Sequence, residues 1–81
     1  MQVTIKLFGA EAEAVGSRTA TVDLPSQTTC AAIRRVLAER YPPLQERLGA
    51  CRFAVNHEFV DDQATVTARD EIALIGQVSG G

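Results

Sequence analysis

The chain has 81 residues, of which 46% are hydrophobic and 22% charged, and its formal net charge is −2 at pH 7. This length supports one domain with a modest core, since so short a chain buries only roughly 60% of its unfolded surface. The charge balance argues against nucleic-acid binding, and no apolar run approaches the ~20 residues of a membrane span. The N-terminus enters a strand pattern without the plan of a signal peptide, so we expect a cytoplasmic protein.

The two cysteines and the single histidine limit the metal and redox chemistry to be expected. Cys30 and Cys51 do not form a C-x-x-C motif, and with His57 they make no zinc set. In a reducing compartment a structural disulfide is not expected either. Cys30 lies near a predicted helix N-terminus, which can lower a thiol pKa, but it also falls on the apolar stripe. Core packing is therefore the preferred interpretation of both cysteines.

The first part of the chain predicts two strands. Residues 3–8 alternate between apolar and polar positions, and Phe8 falls on the polar face. Residues 10–15 have helix-forming composition but are too short to stand alone, so we expect about one turn within a loop. Residues 17–24 alternate again and predict a second strand, antiparallel to the first.

One long amphipathic helix is predicted over residues 30–41. Thr28 or Thr29 is a suitable N-cap, and two prolines at 42–43 end the helix. The apolar stripe faces a sheet, whereas Arg34 and its charged neighbours are predicted to face water.

The remaining segments are short. Residues 52–55 predict a strand, the Asn56-His57-Glu58 segment a tight turn, and residues 59–60 an edge strand. Residues 61–69 are polar, and residues 71–75 form the last strand. The acidic pairs Asp61-Asp62 and Asp70-Glu71 fall in turns and are interpreted as solvated turn residues.

This order of elements predicts an α+β fold of the β-grasp, or ubiquitin-like, kind. A mixed sheet of four to five strands would carry one main helix packed across it. A right-handed crossover through the helix places the first and last strands side by side in the centre. We expect one domain over residues 1–75 and a flexible Gly-Gly tail over residues 76–81. Glycine lets the backbone enter a narrow cleft, so Gly80 and Gly81 are the expected site of function.

With these elements in place, the chain resembles the small, sulfur-carrier subunit of molybdopterin synthase, within the ubiquitin-like sulfur-carrier proteins. The matching segments are Leu7-Phe8-Gly9-Ala10, Val55-Asn56, Phe59-Val60, and Asp70-Glu71-Ile72-Ala73-Leu74-Ile75 leading into Val78-Ser79-Gly80-Gly81. The resemblance covers essentially the whole chain.

The resemblance implies a chemistry centred on the carboxylate of Gly81. An adenylating, E1-like activating enzyme would use ATP to link AMP transiently to Gly81, and a persulfide donor would convert the adenylate to a thiocarboxylate. The tail would then enter the large subunit of molybdopterin synthase, where its sulfur attacks a pterin precursor. The family also implies a heterotetramer with two large subunits. The chain itself would be a non-catalytic sulfur donor without a permanent cofactor or metal.

The partner-binding residues are expected on the outer side of the sheet and in the tail. Alternation and edge position assign Phe8, Phe59 and Ile75 to the sheet face away from the helix, where they would form an exposed apolar patch. The alternative is that a loop covers them or that Phe59 belongs to the core. In the tail, Val78 and Ser79 are expected to contact the partner.

Two departures from the family pattern leave the pathway open. Arg69 stands where the family usually has glycine, so that turn would be strained or different. Gly76-Gln77 replaces two prolines, which predicts a less stiff tail. Carriers for thiamine thiazole synthesis or tRNA thiolation therefore remain alternatives. So does a ubiquitin-like binding module whose Gly-Gly is never activated.

Overall fold

A computed structural model describes residues 1–76 of the chain. Two single turns of 3-10 helix, at Pro42–Leu44 and Leu48–Ala50, follow the second α-helix. The strands and α-helices, in chain order, are β1 Gln2–Leu7, α1 Gly9–Val15, β2 Thr19–Asp23, β3 Thr28–Thr29, α2 Cys30–Arg40, β4 Arg52–Val55, β5 Glu58–Val60, β6 Thr65–Val66 and β7 Ile72–Ile75. Neither α-helix within residues 1–76 is long and apolar enough to cross a bilayer.

The main sheet has five strands in the order β2-β1-β7-β4-β5. The strands β1 and β7 pair in parallel, and every other pairing in this sheet is antiparallel. The first and last strands therefore lie side by side in the interior of a mixed sheet, as predicted. This order places the end of β7, where the tail begins, beside strands that are hydrogen-bonded on both sides.

The core lies between one face of this sheet and α2. On β1 the buried positions alternate strictly, because successive side chains of a strand point to opposite faces. From α2 the stripe of Cys30, Ile33 and Leu37 enters the same core. The helix begins where the Thr29 hydroxyl accepts a hydrogen bond from the Ala32 N–H at 3.2 Å, which confirms the predicted cap.

The segment after β1 is longer and more regular than predicted. The helix α1 has seven residues rather than a single turn. It ends where Gly16 adopts a left-handed conformation with φ of 80° and donates its N–H to the Ala12 carbonyl at 2.8 Å. Ala12 and Val15 pack against the core, and this packing stabilises a helix too short to form alone.

The prediction that Arg34 faces water is wrong. Its Nε and Nη2 donate to the two carboxylate oxygens of Asp62 at 3.0 and 2.8 Å. Its Nη1 donates hydrogen bonds to the carbonyls of Leu48 and Cys51. The guanidinium therefore connects α2 to two loops, and its side chain is only 23% exposed. The same region holds a second sheet that was not predicted, in which β3 pairs with β6.

The backbone conformation of two turns explains the residues found in them. Asn56 and His57 both have positive φ, 53° and 73°, as the two-residue turn between antiparallel strands requires. Arg69 has no such conformation, so the turn before β7 needs no glycine. That turn is held instead by the Asp70 carboxylate, which accepts the Thr67 N–H at 2.7 Å. Of the two expectations for Arg69, strain is wrong and a different turn is confirmed.

Both cysteines pack in the core as free thiols. Burial raises the pKa of the Cys30 thiol, and the nearby Asp62 carboxylate raises it further. Burial likewise raises the pKa of Cys51, with a contribution from Glu11. Core packing is confirmed, and the lowered pKa considered for Cys30 is wrong.

Candidate functional site

The outer face of the main sheet, opposite the core, has small side chains at its centre. Lys6 pairs in register with Ala73, Ala73 with Ala54, and Ala54 with Phe59, so these residues form one row across four strands. The two alanines leave a shallow surface between larger neighbouring side chains. An outer face built in this way leaves apolar surface open to a partner.

One depression lies over these two alanines, and a second lies next to it. The first, of about 220 Å³, is lined by Phe8, Ala54, His57, Glu71, Ala73 and Ile75. The second, of about 470 Å³, lies on the other side of Ile75 and is lined by Gly49, Ala50, Cys51, Arg52, Phe59, Ile75 and Gly76. Ile75 therefore borders both depressions and connects Phe8 to Phe59.

The three predicted patch residues thus occupy one continuous region, here called the outer-face patch (Phe8, Phe59 and Ile75). Phe8 is 52% exposed and Phe59 is 56% exposed, so the alternative that Phe59 belongs to the core is wrong. The Arg52 guanidinium lies 4.4 Å from the centroid of the Phe59 ring, an arrangement typical of a cation–π contact. The role of the patch in partner binding remains a prediction.

A charged group closes one side of the patch. The Glu71 carboxylate pairs with the Lys6 ammonium at 3.3 Å and with His57 Nε2 at 2.9 Å. The hydrogen bond from Lys6 is the main reason why the pKa of Glu71 lies below its ordinary value. The interpretation of the acidic pairs as solvated turn residues was therefore incomplete, because Glu71 and Asp62 both hold cationic partners.

Beside this group, Asp70 joins two turns. Its carboxylate accepts hydrogen bonds from the Thr67 N–H and from the Asn56 amide at 2.9 Å. These bonds, that from the Thr67 backbone foremost, lower the pKa of Asp70. The Asn56 side chain in turn accepts the Glu71 N–H at 2.9 Å, so the start of β7 is fixed to the turn between β4 and β5.

The root of the tail lies against a buried carboxylate that sequence reasoning missed. Glu11, in the first turn of α1, has a side chain that is only 9% exposed, and its Oε2 lies 3.8 Å from Nη1 of Arg47. Its carboxyl group covers the Cα of Gly76. The available signal was spacing: Glu11 stands four residues before Val15, on the side of α1 that meets the domain.

The predicted residues of the tail itself, Val78, Ser79, Gly80 and Gly81, lie outside the described residues, as does most of the predicted flexible segment 76–81. Within residues 1–76 no group of three or more histidine, cysteine or acidic side chains is placed to hold a metal ion. Of the predicted site, the described residues therefore contain the outer-face patch and Gly76, where the tail begins.

The chain matches a known protein family over nearly its whole length. The model of the ThiS family matches residues 5–81, and thus includes both the strands of the outer face and the terminal glycines. The chain belongs to the ThiS family. Among curated relatives, the molybdopterin synthase sulfur carrier subunit of Caenorhabditis briggsae is 32% identical, over 100% of this chain and 99% of that protein. The resemblance to sulfur-carrier subunits seen in the sequence is confirmed.

Solved structures confirm the β-grasp fold of this ThiS family member. SAMP1 from Haloferax volcanii matches with a TM-score of 0.86 and 30% identity over 100% of both chains. A complex of subunits 1 and 2 of the molybdopterin-converting factor from Helicobacter pylori contains a chain that matches with a TM-score of 0.71 and 24% identity, again over 100% of both chains. Over their whole length both chains share the fold described above.

Proposed function

We propose that this chain is the sulfur carrier of molybdopterin synthesis and that it carries the sulfur as a thiocarboxylate on Gly81. The observation that carries the proposal is the match of the whole chain, at 32% identity, to a sulfur carrier subunit of molybdopterin synthase. The exposed outer-face patch beside the root of the tail supports it, because a carrier must dock and present its end.

The chemistry begins with a carboxylate, which is a poor electrophile. An activating enzyme would join the Gly81 carboxylate to the AMP part of ATP, releasing pyrophosphate. A persulfide sulfur would then attack the acyl carbon and expel AMP. Reductive cleavage of the resulting acyl disulfide by a thiol leaves the thiocarboxylate and a disulfide. The thiocarboxylate is anionic at neutral pH and nucleophilic at sulfur.

The partners of the proposed function are the activating enzyme, the persulfide donor and the large subunit of the synthase. The Helicobacter pylori complex pairs subunits 1 and 2 of a molybdopterin-converting factor, which supports a large subunit as partner here. We propose that the outer-face patch binds that subunit and that Val78 and Ser79 follow the tail into its pocket. The partner then supplies the cationic and acid–base groups.

Intact mass spectrometry tests this proposal. The purified chain is incubated with the activating enzyme, ATP, a persulfide donor and a thiol reductant, beside a variant lacking Gly81. The proposal expects a species heavier by about 16 Da, the difference between sulfur and oxygen, in the wild type alone. A carboxylate that stays free beside an activating enzyme competent on another carrier would contradict it and favour a binding module that is never activated.

Co-purification chooses between pathways. A large subunit that binds the pterin precursor, recovered with the tagged chain, supports molybdopterin synthesis. Recovery of a thiazole-forming or tRNA-thiolating enzyme instead would assign the same carrier chemistry to thiamine thiazole synthesis or tRNA thiolation.

A second candidate function is protein modification. The structural match to a small archaeal modifier protein, at 28% identity and a TM-score of 0.83, favours it. A lysine amine of another protein would attack the Gly81 adenylate, expel AMP, lose a proton and form an amide. Conjugates of higher mass that survive reducing agents, and that disappear when Gly81 is deleted, would support this function.

A further inference from the structure

The contact between α1 and the root of the tail leaves no room for a side chain at residue 76. A Cβ built on Gly76 would lie 2.7 Å from Cδ and 2.9 Å from Oε2 of Glu11, and closer still to Oε1. Observed Cβ contacts are essentially never shorter than 3.0 Å. Gly76 has no left-handed φ, so a side chain at this position is disfavoured by contact with the Glu11 carboxyl group and not by the backbone conformation.

The Glu11 side chain has restricted freedom to move away. Only 9% of the Glu11 side chain is exposed, and its partner Arg47 lies in the loop between the two 3-10 turns. The backbone of Arg47 is held in turn, because its N–H donates to Leu44 and its carbonyl accepts from Ala50 and from the Cys51 thiol. If the Glu11 carboxylate moved away from Gly76 while staying buried, it would lose its contact with the Arg47 guanidinium and become an uncompensated buried charge, which is unfavourable.

From this geometry we infer that Glu11, Gly76 and Arg47 form a clasp that sets the direction in which the tail leaves the domain. Glu11 is a positioning residue: it acts on Gly81 only through Gly76. This inference deepens the proposed carrier function and rests on it for its consequence in catalysis.

The clasp adjoins the outer-face patch at two points. Phe8 precedes α1, which carries Glu11, and Ile75 directly precedes Gly76. A depression of about 270 Å³ joins these elements and is lined by Phe8, Gly9, Ala10, Glu11, Arg47, Ile75 and Gly76. A partner seated on Phe8 and Ile75 would therefore also adjoin the residues that hold Gly76.

A double-mutant cycle on stability tests the contact. Gly76→Ala, Glu11→Ala and the double variant are compared by thermal unfolding, with Gly49→Ala as the control. Gly49 also lacks a left-handed φ, and a Cβ there meets nothing within 4 Å. We expect Gly76→Ala to lower the Tm by about 5 °C in the wild-type background and to have little effect beside Glu11→Ala. Gly49→Ala should leave the Tm unchanged or raise it slightly.

A kinetic measurement tests the positioning role, which a merely structural contact would not affect. Adenylation of each variant is followed well below its Tm. Gly76→Ala and Glu11→Ala each break the contact that orients the tail without changing Phe8 or Phe59, so each should lower kcat for adenylation about tenfold at unchanged KM, and the double variant should fall no further. A kcat equal to the wild-type value in all three variants would overturn the clasp as a positioning device.

The two measurements separate the inference from the proposed function. If the wild-type chain is never adenylated, the proposed function fails, while the stability cycle still reports on the contact. If Gly76→Ala is as stable as Gly49→Ala, or lowers the Tm equally with and without Glu11, the clasp is refuted whatever the function.

Discussion

Two phenylalanines of the same sheet, Phe53 and Phe59, have the same kind of neighbour and opposite surroundings. An arginine guanidinium lies over each ring, Arg34 at 5.1 Å from Phe53 and Arg52 at 4.4 Å from Phe59. Phe53 is fully buried on the core side, whereas Phe59 is 56% exposed on the outer face. Arg34 also binds Asp62 and two carbonyls. The Arg34–Phe53 pair therefore stabilises the fold, whereas the Arg52–Phe59 pair lies on the exposed outer face.

This difference predicts which substitutions change the stability of the domain and which change its binding to a partner. Residues that face the core lose their neighbours when truncated, and the cost appears in the free energy of unfolding. In the outer-face patch Phe8 and Phe59 are already about half exposed, so truncating these two rings costs little until a partner covers them, whereas Ile75 is only partly exposed. Substitutions on the two faces should consequently change different measured quantities.

The largest effect is expected at Phe53. We predict that Phe53→Ala lowers the free energy of unfolding by about 3–5 kcal/mol, because it leaves a cavity in the core. The matched variant Phe59→Ala should cost less than about 1 kcal/mol. Urea denaturation of both measures the difference, and similar losses for the two variants would contradict the separation of the faces.

The next largest effect concerns binding. Phe8→Asp and Ile75→Asp should each weaken the complex with the large subunit by about 30-fold or more, because a charge replaces apolar contact in the patch. The midpoint of urea unfolding should change little for Phe8→Asp. Thr4→Asp, which adds the same charge to the exposed face of β1 outside both depressions, is the control for isothermal titration. Unchanged affinity of the patch variants would remove the patch from the interface.

A smaller effect on stability is expected at Arg34. Arg34→Ala removes the pair with Asp62 and leaves two carbonyls of the loop without this donor, which we predict costs about 1–3 kcal/mol, reduced by the partial exposure of Asp62. Arg35→Ala, at the exposed neighbouring position, should have almost no effect on urea unfolding. If the two variants are equally stable, Arg34 does not connect α2 to the loops as described.

The smallest effect is a pH dependence. The pKa values of Asp70 and Glu71 are lowered in the folded state, so the unfolded chain takes up protons more readily at acid pH. Their contribution to stability is present above the ordinary carboxyl range and is lost as the pH falls below about 4. Urea unfolding between pH 3 and 7 should show this loss, and Asp70→Asn should reduce it. An unchanged pH profile in that variant would refute the Asp70 contribution.

Local pattern was sufficient for the parts of the fold that repeat a simple period. The alternation of β1 and the apolar stripe of α2 each point to one face, so the central strands and the main helix could be predicted. Phe8 was assigned to the outer face by the same alternation, and the exposure of its ring agrees.

The features that could not be predicted from local sequence patterns depend on contacts between residues far apart in the chain. Arg34 looks like a surface residue by position, and its partner Asp62 is 28 residues away. Glu11 looks like an exposed helix residue, and it is buried because Gly76, at the end of β7, and Arg47 lie against it. The helix α1 itself depends on packing that no seven-residue segment contains.

The most direct test of the central claim is a single turnover of the charged carrier. The chain bearing the proposed thiocarboxylate on Gly81 is mixed with the large subunit and the pterin precursor, and its intact mass is followed. We predict that the species heavier by about 16 Da reverts to the carboxylate form as dithiolene appears, with two carriers consumed for each product. A thiocarboxylate that persists while the large subunit and precursor are present would contradict it.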